Sequence, residues 1–224
     1  MHAPLIEPSP VFTREEALAA GHTADAIRHR LETGTWRRLR RGIYVEGAHW
    51  AALGADPARQ LALSVAAVQR RLTVPAWAAG LTAASLLGAD VLTHPALLRL
   101  VTASPTGPRR GPGYAVVPVI LPAHHRCVVD EVMLTSPART VVDVARTVAP
   151  REAIVVADSI FRETRLRTAE VTQLLADLCR APGIARAVRI AGLADGRAES
   201  PLESIGRFKP RWPAAVSRAA GVDP

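Results

Sequence analysis

Residues 12–45 read FTREEALAAGHTADAIRHRLETGTWRRLRRGIYV, and the order of local signals along them decides the fold. Thr13-Arg14-Glu15-Glu16 is a capping box, in which the Thr13 hydroxyl takes the orphan amide of the third helical residue and Glu16 reaches back. The helix runs through Ala20 and stops at Gly21, a residue free to turn with positive φ. Thr23 then caps a second helix whose apolar positions Ala24, Ile27 and Leu31 keep helical spacing up to Gly34. From Thr35 to Val45 the period changes, and two short apolar-containing runs flank an Arg-Arg-Gly turn, which predicts a β-hairpin with Gly42 in the turn. Helix, turn, helix and hairpin is the order of a winged helix-turn-helix, whose second helix enters the major groove of DNA.

The chemistry of these residues agrees with that geometry. With Ala24, Ile27 and Leu31 facing inward, the opposite helix face shows Asp25, Arg28, His29 and Glu32. Arg28 can offer a bidentate fork to a guanine edge or a phosphate, while Thr23 and the first helical amides can hold a phosphate. The hairpin carries Arg37, Arg38, Arg40 and Arg41 with no acid between them, which suits contact with the DNA backbone or minor groove. The candidate DNA contacts are therefore Thr23, Arg28, His29, Arg37, Arg38, Arg40 and Arg41. An alternative for Arg38 is packing beside Trp36 on the same strand face, which would remove it from that set.

Outward from this stretch, residues 1–11, with three prolines, are expected to be a flexible arm, and residues 12–48 the DNA-binding domain. After a bridging loop, Asp56-Pro57 opens a helix to about Leu72, and a second helix is expected over Ala76 to Leu87. Strands are expected at Leu97 to Thr102, Tyr114 to Leu121 and Val128 to Leu134, the first two parted by a Gly/Pro-rich loop. Ser136-Pro137 caps a helix to about Val148, and three or four more helices follow to Phe208. The expected architecture is α+β: an N-terminal winged helix-turn-helix, then a mixed α/β domain over residues 49–195 with a mostly helical C-terminal half, then a helix and tail over 196–224.

Composition sets the outer limits. A chain of 224 residues with 49% apolar content fills a core and is not generally disordered. The net charge of +8 favours polyanionic partners, nucleic acid first and anionic membrane second. Cys127 and Cys179 lie far apart without metal-type spacing, which fits a reduced compartment. The longest uncharged run, Leu72 to Ala89, contains Pro75, Gly80 and Gly88 and is poor in strongly apolar residues, so no membrane span is expected. Without a signal-peptide pattern at the start, a cytoplasmic location is expected.

The 12–45 stretch resembles the N-terminal winged-helix domain of the AbiEi-type antitoxin family, frequent in actinobacteria. LTSPARTVVDVAR (residues 134–146) and AESPLESIGRF (residues 198–208) are similar to blocks in long actinobacterial members of that group. The resemblance implies a transcriptional repressor that silences its own operon on double-stranded DNA and neutralises a nucleotidyltransferase-like toxin. Two departures stand out. Family members carry a further helix before the FT segment, so the three-helix core here is either incomplete or completed by another part of the chain. In similar long proteins the SPLES helix opens a domain like very-short-patch-repair endonucleases, in which Glu203 would match the helical acid. After Phe208 only sixteen residues follow, with Asp223 their sole acid, too few carboxylates for a divalent-metal nuclease centre.

Other motifs point to structure. His124 and His125, adjacent on an extended segment, would face opposite ways and not share one metal ion, with or without Cys127. Arg139 and Asp143, one helical turn apart, are expected to pair in a buried structural role. Arg109-Arg110 lies where it could touch phosphate, but Gly107, Gly111 and Gly113 lack the strand-to-helix context of a nucleotide fingerprint. No enzyme, cofactor or metal is expected. The alternatives to a DNA-binding regulator are a toxin-neutralising interaction module with a degenerate DNA-binding domain, or an inactive remnant of an endonuclease-like protein.

Overall fold

A computed structural model of the chain describes residues 10–93, 95–105 and 107–207. Strand β1 (Val11–Thr13) runs straight into helix α1 (Arg14–Ala19), because Thr13 serves both. Its hydroxyl accepts the Glu16 N–H at 3.1 Å, and the Glu16 carboxylate accepts the Thr13 N–H at 2.7 Å. Helix α2 (Ala24–Glu32) is capped in turn by Thr23, which accepts the Ala26 N–H at 3.1 Å. Strands β2 (Trp36–Arg40) and β3 (Ile43–Glu46) form the expected antiparallel hairpin, and Gly42 takes φ 76° in its turn.

One correction concerns the arm. Val11, assigned to it by the run of prolines, is a fully buried strand residue opposite Val45, so β1 makes the wing a three-stranded sheet in the order β1-β3-β2. Residues 1–9 lie outside the described residues. Strand alternation gives this sheet two apolar faces. Phe12, Trp36 and Tyr44 meet Ala17, Ile27 and Leu31 of the two helices, whereas Val11, Ile43 and Val45 point the other way.

That second face is covered from downstream. Helix α3 (Gly47–Ala52) occupies part of the expected bridging loop and lays Trp50 at the edge of the sheet. Helix α4 (Pro57–Arg71) starts on Asp56, whose carboxylate accepts the N–H of Ala58 and Arg59, and its Leu63 and Ala67 close over Val11, Ile43 and Val45. This covers the sheet face turned away from α1 and α2, whose own cluster of Ala17, Ile27, Trp36 and Tyr44 includes no residue of a third helix among the described residues. Val65 and Val68 of the same helix face a different cluster, with Leu100, Val116 and Leu134. One helix therefore belongs to two cores, and the boundary expected at 48/49 does not separate two hydrophobic units.

Beyond α4 come β4 (Trp77–Ala78), α5 (Leu81–Leu86), β5 (Leu98–Thr102), β6 (Arg109–Gly111), β7 (Tyr114–Pro118), β8 (Arg126–Val129) and β9 (Val132–Thr135). They build a mixed sheet in the order β6-β7-β5-β4-β9-β8, with β5/β7 and β4/β9 parallel and the other neighbours antiparallel. Three expectations fail here. The helix over 76–87 is a strand and a shorter helix, divided at Gly80 with φ 59°. The strand over 128–134 is a hairpin, folded through Asp130 and Glu131 at φ 45° and 64°. Within the Gly/Pro-rich loop, Arg109–Gly111 pairs with β7 as an edge strand.

The C-terminal half is helical, as expected: α6 (Pro137–Thr147), α7 (Pro150–Thr164), α8 (Thr168–Asp177), α9 (Ile184–Leu193) and α10 (Pro201–Arg207). The first four pack Val141, Val142, Ile154, Ile160, Leu174 and Ile190 into one cluster. Arg207 ties α10 back by pairing with the buried Asp158 and, at 3.1 Å, with Asp195. Phe208 and the tail that carries Asp223 lie outside the described residues. Among the described residues no helix is long and apolar enough to cross a membrane.

Candidate nucleic-acid interface

Helix α2 presents Asp25, Arg28, His29 and Glu32 to solvent, the face its spacing predicts. Arg28 pairs with Asp25 at 2.5 Å, but both side chains are more than two-thirds open to solvent, so the pair contributes little and can be exchanged for a stronger partner. The Thr23 oxygen is engaged in capping, which leaves its hydroxyl proton as the group that can be donated.

The wing arginines divide into two kinds. Arg37 and Arg38 are exposed, with the Arg37 guanidinium 4.2 Å above the Trp50 ring. Arg38 lies opposite Tyr44, and Trp36 instead takes Arg30 over its ring at 5.2 Å, the His22 edge at 4.9 Å and Glu46 on its indole N–H at 3.0 Å. Trp36, Arg37, Arg38 and Trp50 are among the residues that line a cleft of about 490 Å³. Arg41, in the turn, is exposed as well.

Arg40 departs from the expected set. The register slips between Arg38 and Arg40, a bulge that turns the Arg40 side chain toward the larger sheet. There its Nη1 donates to the Pro112 carbonyl at 2.7 Å, its guanidinium stands 5.2 Å from the Tyr114 ring, and its buried Nε–H has no partner among the described residues. Burial, foremost, lowers its pKa; the nearby Arg71 adds to the effect and Tyr114 opposes it. Simple alternation along a regular strand could not reveal this, because a bulge has no sequence mark here.

Two side-chain clusters lie elsewhere. Ala123–His125 is a 3₁₀ turn, not extended chain, so both imidazoles converge: Nε2 of His124 and of His125 lie 3.2 and 3.5 Å from the same Asp177 oxygen on α8. Arg139 Nη1 donates to His125 Nδ1 at 2.9 Å. A guanidinium only donates, so Nδ1 accepts and the proton sits on Nε2, aimed at Asp177. That proton occupies the lone pair a cation would need, which makes the trio a hydrogen-bonded clasp rather than a good metal donor set. Cys127 stays outside it, its thiol directed at the Thr135 carbonyl and its pKa raised by burial. Arg139 itself is 4% exposed and pairs with Asp143 at 2.8 Å, the buried pair the sequence suggests.

The wing and its helices lie in the part of the chain that a known family matches. Residues 7–47 match the family described as "Transcriptional regulator, AbiEi antitoxin". The AbiEi match thus takes in β1 through β3 and ends where α3 begins. Two uncharacterized proteins, from two strains of Mycobacterium tuberculosis, are each 36% identical to this chain over 76 residues. Those residues are 34% of this chain and 28% of each relative, so the likeness spans little more than a quarter of the relatives' length. The AbiEi match does not reach residues 196–224.

Proposed function

We propose that this chain is a DNA-binding transcriptional regulator that represses its own operon in the cytoplasm. The observation that carries this reading is the arrangement of residues 11–46: two capped helices and a three-stranded wing whose Arg37, Arg38 and Arg41 point into solvent without a carboxylate partner among the described residues. In this reading α2 lies in the major groove, and Thr23, Arg28 and His29 choose the sequence. The exposed wing arginines meet phosphates, and three such contacts contribute about −2.7 to the log–log dependence of affinity on salt. The test is selection of bound sites from random duplexes by the full chain, followed by titration at several salt concentrations. Enrichment of a defined site with salt-dependent affinity is the expected result; recovery of no common sequence, with no salt dependence, overturns it.

The antitoxin wording of the family description favours a second role for the same chain, neutralisation of a nucleotidyltransferase-like toxin by the α/β body. Co-purification with the product of an adjacent gene tests it, and a pure chain that carries no such partner from its native cell counts against it. We assign the chain no catalytic step and no cofactor.

A further inference from the structure

Residues 33–45, 57–89 and 91–129 are three of the acid-free stretches of the chain. The fold brings parts of all three together at one place. Arg71, at the end of α4, donates to the Arg41 carbonyl of the wing turn at 3.3 Å. Arg40 of the wing reaches the Pro112 carbonyl, in the turn between β6 and β7, at 2.7 Å. Arg109 of β6 donates to the Thr73 hydroxyl, two residues beyond Arg71, at 3.3 Å. The wing turn, the end of α4 and the β6 edge therefore form one continuous patch.

Its charges are unbalanced. Arg41 and Arg71 are exposed and Arg109 is half-buried, and none of them pairs with a carboxylate among the described residues; Arg110 alternates to the other face of the sheet, away from α4. Glu16, the acid beside the patch, is already committed to Arg70 at 2.6 Å. Though burial pushes the Glu16 carboxyl upward, the Thr13 N–H and Arg70 together hold it below the usual range, so it remains an anion bound to its own partner. Several guanidiniums held close without counter-charges create a positive field that favours a polyanion. The patch is continuous with the wing, and β6 is the outermost strand of its sheet, so a duplex lying along the wing would also meet this edge.

Resting on the DNA-binding reading above, we propose that the surface that grips double-stranded DNA crosses from the wing onto the body of the protein. Arg71 and Arg109 contact phosphates, and Arg40 is a positioning residue that fastens the wing to the β6–β7 edge without touching DNA. A half-buried guanidinium that already serves a carbonyl and an aromatic ring gains little by leaving them for a solvated phosphate.

The experiment measures affinity of the full chain for a selected duplex and for its scrambled counterpart across a range of salt. Arg71→Ala and Arg109→Ala are each expected to weaken binding to both duplexes alike and to reduce the salt slope by about 0.9. Arg40→Gln keeps an N–H donor for the Pro112 carbonyl but removes the charge, and it is expected to leave the slope unchanged; a fall of about 0.9 would make Arg40 a phosphate contact and overturn its assigned role. If the unaltered chain binds duplex while the Arg71 and Arg109 variants keep its affinity and slope, the extended surface is wrong and the DNA-binding reading survives. If the unaltered chain binds neither duplex, both fall together, and binding to phosphatidylglycerol vesicles in that case would assign the patch to a membrane surface instead.

Discussion

Arg139 shows how much can depend on one side chain. It is nearly fully buried, and it satisfies Asp143, the Ile120 carbonyl and His125 Nδ1 at once. Removing it leaves the largely buried Asp143 with Arg146 alone and takes the donor from the Ile120 carbonyl and His125 Nδ1, so Arg139→Ala is expected to cost about 3 kcal/mol, read from denaturant midpoints. His125 provides a pH test of the same network. Burial above all lowers its pKa below the usual 6.5; Asp177 opposes the shift and Arg139 and His124 add to it. Because the folded value is depressed, the unfolded chain takes up the proton first, so stability is full above about pH 6.5 and declines as pH falls below it. A His125→Gln variant should flatten that decline, and an identical pH profile would show that His125 does not carry it. On the DNA side, Arg28→Ala is expected to narrow the affinity gap between a selected duplex and its scrambled form, by ~1–3 kcal/mol if the fork reads a base. An unaltered gap would remove Arg28 from base readout.

At the scale of elements, what was legible followed local chemistry. Thr13 with Glu16, Thr23, Asp56-Pro57 and Ser136-Pro137 each mark a helix start by a side chain that can satisfy orphan amides, and all four helices begin where those residues stand. The hairpin of the wing was legible for the same reason. Elements that depend on distant partners were hidden. β1 is only three residues long and becomes a strand by pairing with β3, thirty residues further along the chain. Trp77-Ala78 is likewise a strand only because β5 and β9 flank it, in a run whose Ala, Thr and Leu suit a helix equally well. The Asp130-Glu131 turn lacks the glycine or asparagine that marks most tight hairpins, so two strands looked like one. The convergence of His124 and His125 was missed because a single 3₁₀ turn reverses the alternation of an extended chain. Among the elements, α4 is the one on which the candidate interface rests. Leu63 lies 7% exposed under the wing sheet, so Leu63→Ala should cost ~2–4 kcal/mol and weaken duplex binding although it touches no DNA. Loss of stability with undiminished binding would show that the wing keeps its shape without that support.

For the whole molecule, the charge of +8 proves a poor guide to where a polyanion would bind. Residues 1–50 hold seven basic and six acidic side chains, nearly balanced. What distinguishes the candidate interface is the alignment of acid-free stretches from separate parts of the sequence, which net charge cannot show. The two cores are also joined mechanically, since α4 sends Leu63 and Ala67 into one and Val65 and Val68 into the other. The wing unit and the larger sheet are therefore expected to unfold in one calorimetric transition with equal van't Hoff and calorimetric enthalpies. Two resolved transitions, the first accompanied by loss of the Trp36 fluorescence environment, would contradict that coupling.

The shared helix has a consequence for the newborn chain. When Glu46 leaves the ribosome, all three wing strands are present, yet Val11, Ile43 and Val45 still lack the side chains that cover them. Those arrive only with Leu63 and Ala67, roughly one to four seconds later at ordinary rates of translation. For that interval the sheet has one finished face and one bare apolar face, the condition in which a nascent segment is most open to chaperones or to a neighbouring copy of itself.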